Sequence, residues 1–177
     1  PSMSVEEATR RRDFTINGIS QDPLTGELID PFDGQKDVAA RVVRAVAADT
    51  FVEDSLRDLR AAQFAGRFDF HIEPETVALC RTMDLSDLPG ERIWGELEKL
   101  LLRARRPSIG LDWMEKLGVL PQVFPEIETL IGVPQDPEWH PEGDVFIHTL
   151  LAVDRARELI DDLPYARQVT VMLGALA

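Results

Sequence analysis

The sequence predicts a mainly α-helical chain with a small β portion confined to its first 48 residues. Three observations carry this expectation. From Thr50 onward, apolar residues recur at three- and four-residue steps, the period of an amphipathic helix. Only two short stretches, 26–32 and 42–46, read as strands. Pro89, Pro107, Gly118 and Pro164 stand at the junctions between helical runs, where proline opens a helix or separates two and glycine closes one.

In order, Ser4 and Glu7 form a capping box, so a helix begins near Val5. It leads into Arg10, Arg11 and Arg12, a run that suits either a solvated helix end or a phosphate site. Asp22-Pro-Leu-Thr-Gly26 is a turn, and the strand that follows is stopped by Pro31. A helical turn is expected over 37–41 and a second strand over 42–46. Two strands do not make a stable sheet, so their partners are expected from a portion preceding this sequence. Everything after Thr50 is expected to be helical. A helix through Leu56, Leu59, Ala62 and Ala65 comes first, and another over 75–83 carries Val77, Leu79, Cys80 and Met83. Pro89 opens a long helix through Trp94 and Leu101, which ends in a basic patch of Arg103, Arg105 and Arg106. A shorter helix over 108–117 ends at Gly118, and short turns fill 119–133. A helix over 144–160 is expected to turn Phe146, Ile147, Leu150, Leu151, Val153 and Leu159 inward. Pro1 is not an initiator residue, and the apolar run 167–177 stops without a cap signal. A piece of a longer protein is the expectation.

Composition narrows the function classes. The chain has 177 residues with 44% hydrophobic and 29% charged content, the profile of an ordinary globular protein with a real core. No apolar run approaches a membrane span and no signal peptide opens the chain. Cys80 is alone, so no disulfide framework or cysteine metal site is expected, and a reducing, cytoplasmic setting fits. The net charge of −13 argues against coating nucleic acid wholesale. RNA contacts are expected instead at the local patch of Arg103, Arg105 and Arg106.

Asp54 and Arg57 lie three residues apart on an expected helix, as do Arg57 and Arg60, a spacing that makes side chains neighbours. Taken alone, such a pair is an exposed ion pair worth a few tenths of a kcal/mol. A carboxylate beside a guanidinium is also a polar edge matched to cytosine and adenine, which present an amino donor next to a ring-nitrogen acceptor. Uracil and guanine would set a carbonyl oxygen against the carboxylate.

Several motifs follow one another in the chain: Arg11-Arg-Asp-Phe-Thr-Ile-Asn17, Asp30-Pro-Phe-Asp-Gly34, Phe51-Val-Glu-Asp-x-x-Arg57 with Leu59-Arg-Ala-Ala62, Glu91-Arg-Ile-Trp-Gly-Glu-Leu97 and Trp139-His-Pro-Glu-Gly-Asp144. The series resembles the class II tRNA nucleotidyltransferase and bacterial poly(A) polymerase family over nearly the whole chain. The resemblance implies the C-terminal part of a nucleotidyltransferase head over 1–48, a helical neck with a base-reading helix over 49–106, and a helical body with the start of an HD-type domain over 107–177. It implies that Arg11, Arg12 and Asp13 lie against the incoming nucleotide, Asp13 accepting from a 2′-hydroxyl. It also implies that Asp54 and Arg57 read the base, and Arg60, one turn on, is within reach of phosphate. The neck residues Glu91, Arg92 and Glu96 are expected to be architectural.

The implied activity is template-independent addition of C and A to tRNA 3′ ends from CTP and ATP, with Mg²⁺. The family holds that Mg²⁺ on an Asp-x-Asp pair, and no such pair occurs in this sequence. The metal is therefore expected on an N-terminal part outside it, with no catalytic residue in this chain, which alone is expected to be inactive. Ser55 stands where the family often has Pro, and Gln63 where it often has Arg. His148 resembles the first histidine of an HD-type domain, whose metal needs a His-Asp pair further on. His140 and His148 are therefore expected to be ordinary residues with no metal. Three rivals remain: poly(A) addition to other RNA 3′ ends, an HD-type phosphohydrolase piece, and a noncatalytic helical RNA binder. The net charge disfavours the last.

Overall fold

The computed structural model describes residues 3–177, so Pro1 lies outside it. Helix α1 (Val5–Arg10) starts at the predicted box: Ser4 Oγ accepts from Glu7 N–H, and the Glu7 carboxylate accepts from Ser4 N–H. A 3₁₀ turn (Thr15–Asn17) and two antiparallel strands, β1 (Ser20–Gln21) and β2 (Leu28–Ile29), follow. The Asp30-to-Gly34 motif has a local cause. Both Asp30 oxygens cap the start of α2 (Gly34–Ala40) by accepting from the Gly34 and Gln35 N–H groups. Asp33 turns the chain at φ 58°. A Cβ on Gly34 would lie 2.2 Å from the Thr15 carbonyl oxygen, which excludes any side chain there.

Strand β3 (Val42–Val43) pairs in parallel with β4 (His71–Ile72). Between them run the short α3 (Ala48–Phe51) and the central α4 (Leu56–Phe68). Two expectations are corrected here. The strand partners come from within the chain, at Ser20–Gln21 and His71–Ile72, and β4 interrupts the stretch expected to be wholly helical. Asp69 makes that interruption possible: at φ 56° it closes α4 and turns the chain into β4, a left-handed conformation that Asp tolerates better than most residues.

Helices α5 (Pro74–Cys80), α6 (Gly90–Arg103), α7 (Pro107–Leu117), α8 (Leu120–Val123), α9 (Pro125–Glu128), α10 (Val145–Glu158) and α11 (Tyr165–Leu176) complete the chain. The core forms where α4 packs against α6 and α7, with Leu59, Ala62, Leu100, Leu111 and Met114 fully buried. Helix α10 packs on α7 and α11, and its apolar stripe is narrower than predicted. Phe146 and Val153 are buried, whereas Ile147, Leu151 and Leu159 are exposed, because neighbours cover only one side of the helix.

The α4–α7 contact is close enough to need glycine on both sides. A Cβ on Gly66 would lie 3.0 Å from Gly110 Cα, and one on Gly110 would lie 3.0 Å from the Ala62 carbonyl oxygen. Backbone atoms cannot swing away, so overpacking outweighs the gain of about 1 kcal/mol in helix propensity. Gly110→Ala is expected to destabilise by about 1–2 kcal/mol in urea unfolding. Gly95→Ala, at a site where a Cβ meets nothing within 4 Å, is expected to be neutral or to stabilise by up to about 1 kcal/mol. Equal effects at the two positions would contradict the packing described.

Candidate nucleotide and RNA site

The residues predicted to bind nucleotide gather where the end of α1 meets the start of α4. Asp13 lies just beyond the arginine run and is 6% exposed. Its Oδ1 accepts from Phe14 N–H at 2.9 Å and from the Asn17 side-chain amide at 3.0 Å. Its Oδ2 lies 2.6 Å from both Nε and Nη2 of Arg60. A carboxylate offers about four lone-pair sites, so Asp13 is fully engaged. These contacts fix the turn after Arg12.

Arg60 extends this network to a third segment of the chain. Besides Asp13 it reaches Glu96 on α6, Nη1 to Oε1 at 3.2 Å, and Lys99 binds the same oxygen at 2.8 Å. Burial opposes the Arg60 charge, but Asp13 and Glu96 outweigh it and raise the guanidinium pKa above its ordinary value. Arg60 is therefore paired with two carboxylates that are 6% and 5% exposed. The chain Asp13–Arg60–Glu96–Lys99 ties the segment after α1 to α4 and α6.

Asp54 and Arg57 share this wall but do not pair with each other. Asp54 precedes α4, where its Oδ1 accepts from Leu56 N–H at 3.2 Å. Its ion-pair partner is Arg92 on α6, Nη2 to Oδ2 at 2.9 Å. Arg57 donates from Nη1 to the Thr50 carbonyl at 2.5 Å and from Nη2 to the Arg11 carbonyl at 2.8 Å. The Arg11 and Arg12 side chains are exposed. Arg92 is the residue that sequence reasoning missed as a participant, having been assigned to architecture. One local signal existed: an arginine in the first turn opposes the helix dipole, which points to a partner outside its own helix.

One buried carboxylate faces this region from inside. Asp58 is wholly buried, with Oδ1 accepting from Leu59 N–H and Oδ2 without a protein partner. Burial, with a smaller push from Asp54, raises its pKa to about 7. Burial and the nearby Asp58 carboxylate raise the Cys80 thiol to about 12, so Cys80 stays protonated and packs as a core residue.

The basic patch lies near the C-terminal end of α4. Arg105 and Arg106 line a cleft of about 490 Å³ with Gly66, Phe68 and Ile109, and with the acidic Asp154 and Glu158. Arg106 is held by Asp154 at 3.3 Å. Asp154 also accepts from Ser108 N–H at 2.9 Å and Ser108 Oγ at 2.6 Å, so it fixes the start of α7. Arg103 and Arg105 line a neighbouring cleft with Arg157 and Asp161.

Mg²⁺ takes mainly oxygen ligands in near-octahedral geometry. Among the described residues, the cluster with ligand spacing is His140, Glu142 and His148, two nitrogens and one carboxylate. These residues do not fit the magnesium chemistry of the family. His140 and His148, expected to be ordinary residues, meet over one Glu142 oxygen. The hydrogen bond from His148, with lesser help from the Glu142 backbone and His140, holds the Glu142 carboxyl at about 2. No helix among the described residues is long and apolar enough to cross a membrane.

The first part of the chain, residues 2–44, matches a poly(A) polymerase head domain. Residues 69–131 match a probable RNA- and SrmB-binding site of polymerase A. A multifunctional CCA protein of Cupriavidus metallidurans is 44% identical over 172 residues, covering 92% of this chain and 41% of the relative. One from Aliivibrio salmonicida is 46% identical over 176 residues, covering 94% and 42%. The chain thus spans about two-fifths of the length of the curated relatives it matches. A solved complex of a CCA-adding enzyme with ATP superposes with a TM-score of 0.62 at 29% identity, over 96% of this chain and 44% of that one. With the two matched segments, the identity to these relatives and the shared fold, this chain belongs to the class II tRNA nucleotidyltransferase and poly(A) polymerase family.

Proposed function

We propose that this chain is the nucleotide-selecting and RNA-contacting portion of an RNA nucleotidyltransferase that adds C and A to tRNA 3′ ends from CTP and ATP in the cytoplasm. Residues 1–48 act as the end of the head, 49–106 as the neck, and 107–177 as the body with the start of an HD-type domain. The observation that carries the reading is the Asp54 carboxylate, 37% exposed and held by Arg92, beside an Arg57 anchored on two backbone carbonyls. Asp54 accepts from the exocyclic amino group of cytosine or adenine, and Arg57 donates a remaining N–H to the ring nitrogen. Arg92 orients Asp54, while Asp13 and Arg60 hold the turn that presents Arg11 and Arg12 to ribose and phosphates. Arg103, Arg105 and Arg106 contact the RNA backbone. The bond-making step and its Mg²⁺ are assigned to no residue of this chain.

Equilibrium binding of CTP, ATP, UTP and GTP to the chain tests this. CTP and ATP are expected to bind about tenfold or more tighter than UTP and GTP, the scale of one bidentate base contact. Asp54→Ala is expected to abolish that preference. Arg92→Ala is expected to reduce it, because the carboxylate loses its anchor. Equal binding of all four nucleotides, unchanged by Asp54→Ala, would reduce Asp54 and Arg57 to surface groups. A second reading, addition of A alone, is favoured by the poly(A) polymerase descriptions of both matched segments. Preference for ATP over CTP in the same experiment would select it.

A further inference from the structure

We propose that Thr50 is a positioning residue that couples base reading to phosphate binding, its hydroxyl holding the arginine run after α1 in register with Arg57. The inference rests on the nucleotide site proposed above, with Arg57 on the base and Arg11 and Arg12 on ribose and phosphates. The last carbonyls of a helix have no partner within it. At the end of α1, two groups from elsewhere in the chain take them. Thr50 Oγ1 donates to the Arg10 carbonyl at 2.8 Å, and Arg57 Nη2 donates to the Arg11 carbonyl at 2.8 Å. The Thr50 carbonyl in turn accepts from Arg57 Nη1 at 2.5 Å. Three hydrogen bonds and the Arg10–Arg11 peptide thus close a ring between segments 40 residues apart in sequence.

Thr50 is half-buried and has one hydroxyl proton to give. The other acceptor in range, the Ala47 carbonyl, is at 3.4 Å, so the Arg10 contact is the stronger. A second tie runs beside the ring from Arg10 Nη2 to Asp49 Oδ2 at 2.8 Å, but both side chains are more than half exposed, and solvent screens such pairs. The Arg11 and Arg12 side chains are exposed, so the ring acts on the backbone that carries them. A base and its phosphates are two binding elements on one ligand. Recognising both at once gains affinity only while the two half-sites keep the spacing that the ligand imposes. Loss of the Thr50 hydroxyl releases the Arg10 carbonyl. The Arg11–Arg57 contact and the Asp13–Arg60 pair are then the main ties between the arginine run and α4.

Affinities of the whole chain for CTP, cytidine and inorganic pyrophosphate, measured by NMR titration, separate this coupling from either half-site. Thr50→Val removes the hydroxyl and keeps the shape. It is expected to weaken CTP binding by about three- to tenfold, the scale of one hydrogen bond, while cytidine and pyrophosphate each bind as in the parent. Thr50→Ser is expected to restore CTP binding. Thr50→Ala removes the same group with less bulk and takes the place of Thr50→Val if thermal melting shows that variant unfolded. Unchanged CTP affinity without the hydroxyl overturns the proposal. So does an equal loss for CTP and cytidine, the mark of a general disturbance of the base site, and so does failure of Thr50→Ser to rescue. A parent with no preference for CTP and ATP over UTP and GTP would overturn the base-reading assignment itself, and this inference with it.

Discussion

Arg60→Ala is expected to lower unfolding free energy by about 3–5 kcal/mol, the cost of removing one partner from a buried ion pair. The reason is not the loss of two hydrogen bonds as such. Asp13 and Glu96 are 6% and 5% exposed, and Arg60 is the cation that both share away from water. Without it, Asp13 keeps only Phe14 N–H and Asn17, and Glu96 keeps only Lys99. Glu96 already has an Oε2 with no partner, so it has no alternative donor in place. Urea unfolding of parent and variant gives the difference directly. Lys99→Ala is the calibrating control: it removes a half-exposed group from the same network and should cost about 1 kcal/mol or less. A similar small effect for Arg60→Ala would show that the network is solvated and does not tie α4 to α6.

The second large effect is a pH dependence centred on Asp58. Its pKa rises from 3.8 to about 7 in the folded chain, so the native state holds this proton more tightly than the unfolded state does. The stabilisation is complete below the unfolded value. It is lost as pH rises towards 7, and above that the loss is complete. Between pH 5 and pH 8 the parent should lose on the order of 2–3 kcal/mol relative to Asp58→Asn, which cannot ionise. Unfolding measured at both pH values for both proteins isolates this residue, because every other titrating group is common to the pair. A constant difference across the range would mean that Asp58 is ionised and hydrated in the folded chain.

Sequence reasoning succeeded where the cause of structure is local. Ser4, Pro89, Pro107, Gly118 and Pro164 act within one turn of the helices they bound, and their roles were legible. His71–Ile72 was not, because two residues make a strand only when Val42–Val43 offers an edge. The spacing argument for Asp54 and Arg57 assumed that both lie in one helix. Helix α4 starts at Leu56, so Asp54 points across to α6 instead. Arg57 is turned by the carbonyl of Arg11, which is 46 residues earlier. The stripe on α10 was read correctly as apolar but not as partly uncovered, since periodicity does not say which neighbours are present. Meeting of His140, Glu142 and His148 depends on the backbone turn at Gly143, which residue types alone do not specify.

The parallel pairing of β3 with β4 also constrains how this family can be recombined. Head and neck look separable at residue 48, yet Val42 and Val43 are bonded to a strand that lies beyond α4. A chimera joined at that point would keep each half's sequence and sever the register between them. Pairing would then rely on two unrelated parents offering the same edge. Junctions placed before Asp30 or after Pro74 leave the strand–helix–strand unit whole, and swaps made there would exchange that unit as a single inherited block.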